Sequence, residues 1–492
     1  MSDSPIFHFD NSFARQMDGF YLPWVGENAP SPEVLKLNTP LAEELGLDSA
    51  DLHSPLGAAI LAGSETPYGS EPLSMAYAGH QFGSFSSHLG DGRALLLGEI
   101  VSEDGKRRDL QLKGSGRTPF SRRGDGKAVI GPVLREYLFG EAMFALGIPS
   151  TRALAAVATG EMVERDGPQK GAVLARIAAS HLRVGTFQFF AAREELDKLR
   201  QLAEYAIARH YPDLVDEDDR YLGLFRQVRD AQATLIARWV LVGFVHGVMN
   251  TDNVTISGET IDYGPCAFID HYDPKAVFSS IDHHGRYAYG NQPNIGRWNL
   301  ARFAETLVPL VDPDDPDRAA HLLGDELKVF SVHYVHAWVH GMRAKLGLLK
   351  ELPDDASLAN DLLKTMEGQN VDYTNLFRAL SDLIRGNSAP ARAQFDDPAH
   401  FDSWVERFAE RSKDEDVDAN ARAAAMDRVN PVYIPRNHLV EEALAQANAG
   451  NMEPFDALLA RLERPFETVV GAERYAEPAP ASFGRHVTFC GT

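Results

Sequence analysis

Two short segments carry the residues best suited to chemistry on a phosphate ester. The first is His246-Gly247-Val248-Met249-Asn250-Thr251-Asp252-Asn253, and the second is Asp262-Tyr263-Gly264. The side-chain oxygens of Asn253 and Asp262 are hard donors, the type preferred by divalent cations that bridge phosphates. A phosphoryl-transfer loop of the form His-x-Asp-x-x-x-x-Asn supplies a catalytic Asp and a metal-binding Asn, and a following Asp-Phe-Gly supplies a second metal ligand. His246, Asn253 and Asp262 occupy the matching places here. Val248 stands where the catalytic Asp belongs, and its side chain accepts no proton. Asp252 is the nearest carboxylate left to act as a base; beside a metal ligand it could equally orient that ligand. An ordinary Asx turn at Asp252-Asn253 is the plain alternative.

Such a site needs cations opposite the metal ligands and elements that hold them. Ala94–Val101 reads as a strand, Asp104-Gly105 as a hairpin turn, and Asp109-Leu110-Gln111-Leu112-Lys113 as an alternating second strand. Leu110 and Leu112 face one side and Lys113 the other. A Gly- and Arg-rich loop, 114–127, leads into a helix with Pro132 near its first turn and Val133, Leu134, Tyr137, Leu138 and Phe144 as apolar positions. That helix carries Glu136 and Glu141. A strand Lys held by a helix Glu grips nucleotide phosphates in phosphoryl-transfer folds. Glu136 is the expected partner of Lys113 and Glu141 its competitor, against the alternative of two unrelated surface residues. The glycine-framed turns Gly90-Asp91-Gly92-Arg93 and Gly124-Asp125-Gly126-Lys127 let backbone approach a phosphate, the second beside a helix start. Neither matches a P-loop. Arg117, Arg122, Arg123 and Lys127 make loop 114–127 basic, as a ligand contact or as a solvated hairpin tip. Strand-like runs at 151–159 and 171–178 then give way, after Arg183, to helical spacing over 187–211, 230–244, 293–310 and 325–346, with a charged break at 312–317. Arg176 and Arg183 flank this crossover, where guanidinium groups clamp phosphates or rest in salt bridges. The cluster Asp282-His283-His284, with His271, lacks the spacing of a zinc site.

The 492 residues exceed one ordinary core, so two or more lobes are expected. Hydrophobic content of 44% and charged content of 24% are those of a globular protein. A formal charge of −22 argues against nucleic acid as a general partner, while leaving room for a local basic pocket. No secretory signal is visible at the start, and the longest apolar run, 239–249, is too short to span a bilayer, so a cytoplasmic protein without membrane contact is expected. Only two cysteines occur, Cys266 just after the Asp-Tyr-Gly triplet and Cys490 near the end. They are either unrelated thiols or a reversible intramolecular disulfide that pins the tail onto the 262–266 segment.

A strand-rich portion followed by a larger helical one predicts an α+β, protein-kinase-like bilobal fold. The expected organisation is an N-terminal extension (1–70), a strand-rich N-lobe (71–180), a helical C-lobe (181–430) and a C-terminal extension and tail (431–492). The segments Gly90-Asp91-Gly92-Arg93, Gln111-Leu112-Lys113-Gly114-Ser115-Gly116, Leu134-Arg135-Glu136-Tyr137, Met249-Asn250-Thr251-Asp252-Asn253, Ile261-Asp262-Tyr263-Gly264-Pro265-Cys266 and Asn291-Gln292-Pro293-Asn294 resemble the selenoprotein O family of protein-kinase-like adenylyltransferases. The resemblance spans most of the chain. It implies a kinase fold without the catalytic Asp, which transfers AMP from ATP to Ser, Thr or Tyr hydroxyls of proteins and binds the nucleotide in reversed orientation. It also implies roles. Lys113, Arg176 and Arg183 bind phosphates, with Lys113 held by Glu136. Gly90, Gly92, Arg93, Asp125 and Gly126 line the nucleotide site. Asn253 and Asp262 hold Mg2+ or Mn2+, and Asp252 accepts the proton. Some members carry selenocysteine near the C-terminus; this chain has Cys490-Gly491-Thr492, so redox chemistry there would rest on a thiol. From the residues alone, a kinase using Asp252 as base and an ATP-binding pseudokinase scaffold remain open beside AMP transfer.

Overall fold

A computed structural model describes residues 6–102 and 104–489. The first ten strands are β1 (Tyr21–Pro23), β2 (Glu33–Leu37), β3 (Leu73–Met75), β4 (Gly79–Gln81), β5 (Ser84–Ser86), β6 (Ala94–Val101), β7 (Arg107–Lys113), β8 (Ala128–Val129), β9 (Arg152–Arg165) and β10 (Gly167–Ala178). Eight of them form one antiparallel sheet in the order β1-β3-β6-β7-β10-β9-β2, with β8 paired to β10. β4 and β5 form a separate hairpin. The first 70 residues therefore do more than wrap a body, since β1 and β2 are the two edges of the sheet.

The β6–β7 turn forms as its sequence dictates. Asp104 Oδ1 accepts the Ser102 hydroxyl at 2.6 Å and the Lys106 N–H at 3.0 Å, and Gly105 supplies φ +76°. Strand alternation then sorts the side chains. Leu110 and Leu112 join Leu95, Leu97, Val173 and Ala175 in a core shared with the N-terminal helices α2 (Thr39–Glu44), α3 (Ser49–His53) and α4 (Pro55–Leu61), which follow the short helix α1 (Ser12–Gln16). Gln111, Lys113 and Arg176 lie on the opposite face. That face is covered by α5 (Ile130–Ala145), whose Val133, Leu134, Tyr137 and Leu138 pack with Ala156, Leu174 and the helices at Asn437–Asn448 and Glu453–Leu462.

After β10 the chain is mainly helical. The 187–211 periodicity, expected as one helix, is two: α6 (Val184–Ala191) and α7 (Leu196–His210), broken at Glu194 with φ +58°. The break lets Phe187 and Phe190 enter the same core as Leu199 and Leu202. α8 (Arg220–Val242), α9 (Gln292–Val311) and α10 (Pro316–Lys345) pack together. α10 begins earlier than 325, because Asp315 Oδ1 caps it by accepting the Arg318 N–H at 2.9 Å and Pro316 suits a first turn. Among the described residues no helix is long and apolar enough to cross a membrane. Near its end the chain returns to the middle. Arg436, fully buried, binds Asp270 and Asp372 at 2.7 Å each and donates to Ala476 O at 2.7 Å, and the Thr488 hydroxyl donates to Pro265 O at 2.7 Å.

Candidate active site

A cleft of about 700 Å³ opens between the sheet, the loop 114–127 and the 248–265 segment. It is lined by Gly90, Gly92, Arg93, Lys113, Asp125, Gly126, Arg176, Arg183, Asp252, Asn253 and Asp262, residues far apart in sequence. Glu136 stands behind this lining on α5, in contact with Lys113 and Arg176.

The centre of the cleft is one carboxylate among three cations. Lys113 Nζ donates to Asp262 Oδ1 at 2.6 Å and to Glu136 Oε2 at 2.5 Å. Arg176 Nη1 donates to Asp262 Oδ1 at 2.8 Å and to Glu136 Oε1 at 2.9 Å. Arg183 Nη1 reaches Asp262 Oδ2 at 3.5 Å and the backbone oxygen of Asp252 at 3.0 Å. Glu141 is not the partner of Lys113. One helical turn further on, it is taken by Arg152 Nη2 at 2.7 Å and Asn38 Nδ2 at 2.8 Å. Burial alone would raise the Asp262 carboxyl, but the charges of Lys113, Arg176 and Arg183 outweigh it and hold it well below the usual carboxylate range. The Arg183 guanidinium also stacks on the Tyr77 ring, 4.5 Å from its centroid, and its Nη2 has no hydrogen-bond partner among the described residues.

The 262–266 segment is set from α5 and from the His246 loop. Arg135, next to Glu136, donates to Gly264 O at 3.1 Å and to Cys266 O at 2.6 Å. His246 Nε2 meets Ile261 O at 2.9 Å while its Nδ1 takes the Val248 N–H at 3.4 Å, the pattern of a neutral ring; burial lowers its basicity. Asp262 itself sits at φ +64°, a left-handed conformation that short polar residues tolerate. The Tyr263 hydroxyl bonds Ser150 beneath.

Asp252 lies across the cleft. Its Oδ1 is buried without a partner, and burial pushes its carboxyl up to about 6 despite the opposing charge of Arg183. Asn253 Nδ2 donates to Val248 O at 2.9 Å, which fixes the amide and leaves Oδ1 unbonded among the described residues. Val248 lines the wall as an apolar group.

Loop 114–127 folds over the Gly90–Gly92 turn. The Thr118 hydroxyl donates to Asp91 O at 2.6 Å, and the Ser121 hydroxyl donates to Gly92 O. Gly126, at φ +71°, passes so close to Gly116 O that any Cβ there would overlap it. The basic character expected of this loop is divided. Arg122 and Arg123 line the cleft. Lys127 is engaged by Glu161 at 2.5 Å and Glu27 at 3.3 Å. Arg117 lines a separate groove with Trp24, whose Nε1 donates to Arg117 O at 2.7 Å. Asp125 accepts both Arg165 Nη1 at 2.8 Å and Arg165 Nη2 at 3.0 Å.

Sequence reasoning missed Tyr77, Gln81, Asp91 and Asn250 in the lining. Asp91 is the most consequential. Its Oδ2 accepts Gln111 Nε2 at 3.2 Å, Gln111 Oε1 accepts Arg176 Nη2 at 2.7 Å, and burial pushes the Asp91 carboxyl up to about 6. Its position between two glycines was the available signal. His271 lies opposite Asp372 in an isolated antiparallel backbone β-bridge, outside the lining of this cleft, and no group of three or more His, Cys, Asp or Glu side chains able to hold a metal occurs among the described residues. Cys266 is buried with its thiol pushed up to about 12 by burial. The expected Cys266–Cys490 pairing lies outside the described residues.

Three close relatives of this chain are of one class, protein nucleotidyltransferases. A protein nucleotidyltransferase YdiU of Mycobacterium sp. (strain KMS) is 58% identical over 484 residues, covering 98% of this chain and 99% of that protein. One from Cereibacter sphaeroides (strain ATCC 17023) is 57% identical over 488 residues, covering 99% and 100%. One from Rhizobium leguminosarum bv. trifolii (strain WSM2304) is 54% identical over 489 residues, covering 99% and 97%. The family model described as protein adenylyltransferase SelO matches residues 6–463, and the chain belongs to that family.

Proposed function

We propose that this protein transfers AMP from ATP to Ser, Thr or Tyr hydroxyls of protein substrates and releases pyrophosphate. The observation that carries this reading is the cluster of Lys113, Arg176 and Arg183 around Asp262, in a cleft that Asp252 also lines and that lacks the usual base at Val248. The hydroxyl oxygen attacks the α-phosphorus, and its proton passes to Asp252. The bond from the α-phosphorus to the bridging oxygen breaks, and its electron pair leaves with pyrophosphate. Lys113, Arg176 and Arg183 meet the charge that builds on the leaving group. A reversed nucleotide, with its triphosphate running along these cations, turns the α-phosphate toward Asp252. Gly90, Gly92, Arg93, Asp125 and Gly126 border the nucleotide, and Glu136 holds Lys113 in place.

The donor set fits a hard divalent cation. Asp262 Oδ2 has only the 3.5 Å contact to Arg183, and Asn253 Oδ1 is unbonded among the described residues. Mg2+ or Mn2+ held by Asn253 and Asp262 would neutralise phosphate charge. In this reading residues 71–180 and 181–430 are the two lobes of a kinase-like fold, residues 1–70 and 431–492 extend them, and the protein acts in the cytoplasm.

ATP labelled separately on its α- and γ-phosphates tests the proposal. Protein-bound α label is expected. Label from the γ position alone would make the chain a kinase, and no transfer would make it an ATP-binding scaffold. The pH dependence follows from Asp252. A carboxyl raised to about 6 is protonated, and useless as a base, below that pH. The kcat/KM profile, which reports the free enzyme, is therefore expected to fall as pH drops through about 6. The fall should persist in Asp91→Asn, which removes the other carboxyl titrating there.

A further inference from the structure

The β4–β5 hairpin is tied to the loop that carries Asp252 by a closed ring of hydrogen bonds. The Thr251 hydroxyl accepts the His80 backbone N–H at 2.7 Å and donates to Gln188 Oε1 at 2.6 Å. Gln188 Nε2 meets His80 Nδ1 at 2.8 Å. Each role in this ring is forced. With its acceptor side taken by the His80 N–H, the Thr251 proton points at the Gln188 carbonyl. The Gln188 amide then presents N–H to His80, whose Nδ1 must be a bare acceptor. Thr251 is 0% and Gln188 4% exposed, so water cannot substitute for either. A second tie runs from the Phe82 N–H, two residues after His80, to Asn250 Oδ1 at 3.1 Å, where the Tyr287 hydroxyl also donates at 2.7 Å.

The hairpin touches Asp252 itself. A Cβ at Gly79 would lie 2.6 Å from Asp252 Oδ1, so the strand backbone forms the wall behind that oxygen. Gln81, the last residue of β4, lines the cleft together with Asp252. Lys113 on β7 and Arg176 on β10 stand on other elements, and Arg183 shares α6 with Gln188 but caps its first turn, five residues before it. The ring therefore fixes the proton acceptor without belonging to the phosphate cluster.

We propose that Thr251, Gln188 and His80 are positioning residues that set Asp252 for proton transfer; this rests on Asp252 being the proton acceptor of the reaction proposed above. Displacing a reacting group by about 1 Å costs on the order of 100-fold in rate, whereas nucleotide binding through other elements is unaffected. A ring that only braced the fold would change stability and leave the kinetics alone.

The test uses the full-length protein, α-labelled ATP and its own α-label transfer to protein. Thr251→Val keeps the side-chain shape and removes the hydroxyl. It is expected to lower kcat by about 10- to 100-fold with the KM for ATP within about twofold, and Thr251→Ser to restore most of the rate. Wild-type kcat in Thr251→Val overturns the positioning role. Should Thr251→Val fail to fold, His80→Phe, which keeps a ring and removes the Nδ1 acceptor of the Gln188 amide, decides by itself on the same kcat and KM criterion. A wild-type protein that transfers no α label removes the reading beneath this one and this one with it; wild-type transfer beside an equally active Thr251→Val overturns the positioning role alone.

Discussion

Asp252→Asn is expected to lower kcat for AMP transfer by about 100- to 10,000-fold while ATP still binds, the range expected when a general base is removed. The substitution keeps the size of the side chain. It also keeps the one contact Asp252 makes to the phosphate cluster, because Arg183 binds its backbone oxygen at 3.0 Å and not its carboxylate. What is lost is the capacity to take a proton. Val248 offers no replacement, and Asp262 cannot step in, since three cations keep it ionised and occupied. Single-turnover transfer of α label and calorimetric titration of ATP separate the two effects. An Asn variant within tenfold of the wild-type rate would assign the proton elsewhere.

Asp262→Asn should have the second large effect, and it should appear before any catalysis. Asp262 is the shared counter-ion of Lys113, Arg176 and Arg183. Its neutral replacement leaves Lys113 and Arg176 with Glu136 alone, and Arg183 without a carboxylate contact. Breaking a buried ionic cluster from one side costs about 3 kcal/mol or more, because the remaining charges stay desolvated. Backbone strain adds nothing, since Asn accepts the φ of +64° at this position at least as readily as Asp. The variant without ligand is therefore expected to unfold at lower denaturant concentration, and saturating ATP to recover part of the loss by bringing negative charge back to the three cations. Transfer activity should be absent. Unchanged stability of the ligand-free variant would show that the cations do not depend on this carboxylate.

The parts of the site that were legible in sequence are those where local rules point one way. Alternation placed Leu110 and Leu112 in the core and Lys113 on the other face, and helical spacing put Glu136 on the helix that covers that face. Chemistry singled out Asn253 and Asp262, because few residue types serve as hard ligands beside an absent catalytic Asp. The rest depends on distance in the chain. Thr251 and His80 are 171 residues apart and Thr251 and Gln188 are 63 apart, so no periodicity links them. β4 is three residues long, too short to show alternation. Glu141 illustrates the converse. It sits one turn from Glu136 and looks equivalent in sequence, yet Arg152 and Asn38 claim it through contacts that only the assembled sheet creates. The break at 192–195 was hidden because a left-handed residue interrupts a continuous apolar pattern, and the helix expected from 325 starts at Pro316 because an Asp cap begins it ahead of the apolar spacing.

The order in which the chain is synthesised meets an obstacle in the way the sheet is bordered. Tyr21–Pro23 and Glu33–Leu37 leave the ribosome early, but the strands they join, Leu73–Met75 and Arg152–Arg165, follow about 50 and about 120 residues later. Neither border can be laid down until then. During that interval the nascent N-terminus carries two unpaired strands beside a growing set of open backbone groups, a state exposed to mispairing with other chains. Completion of Gly167–Ala178 closes the centre of the sheet, and the cleft gains its remaining wall only when residues 248–265 have followed.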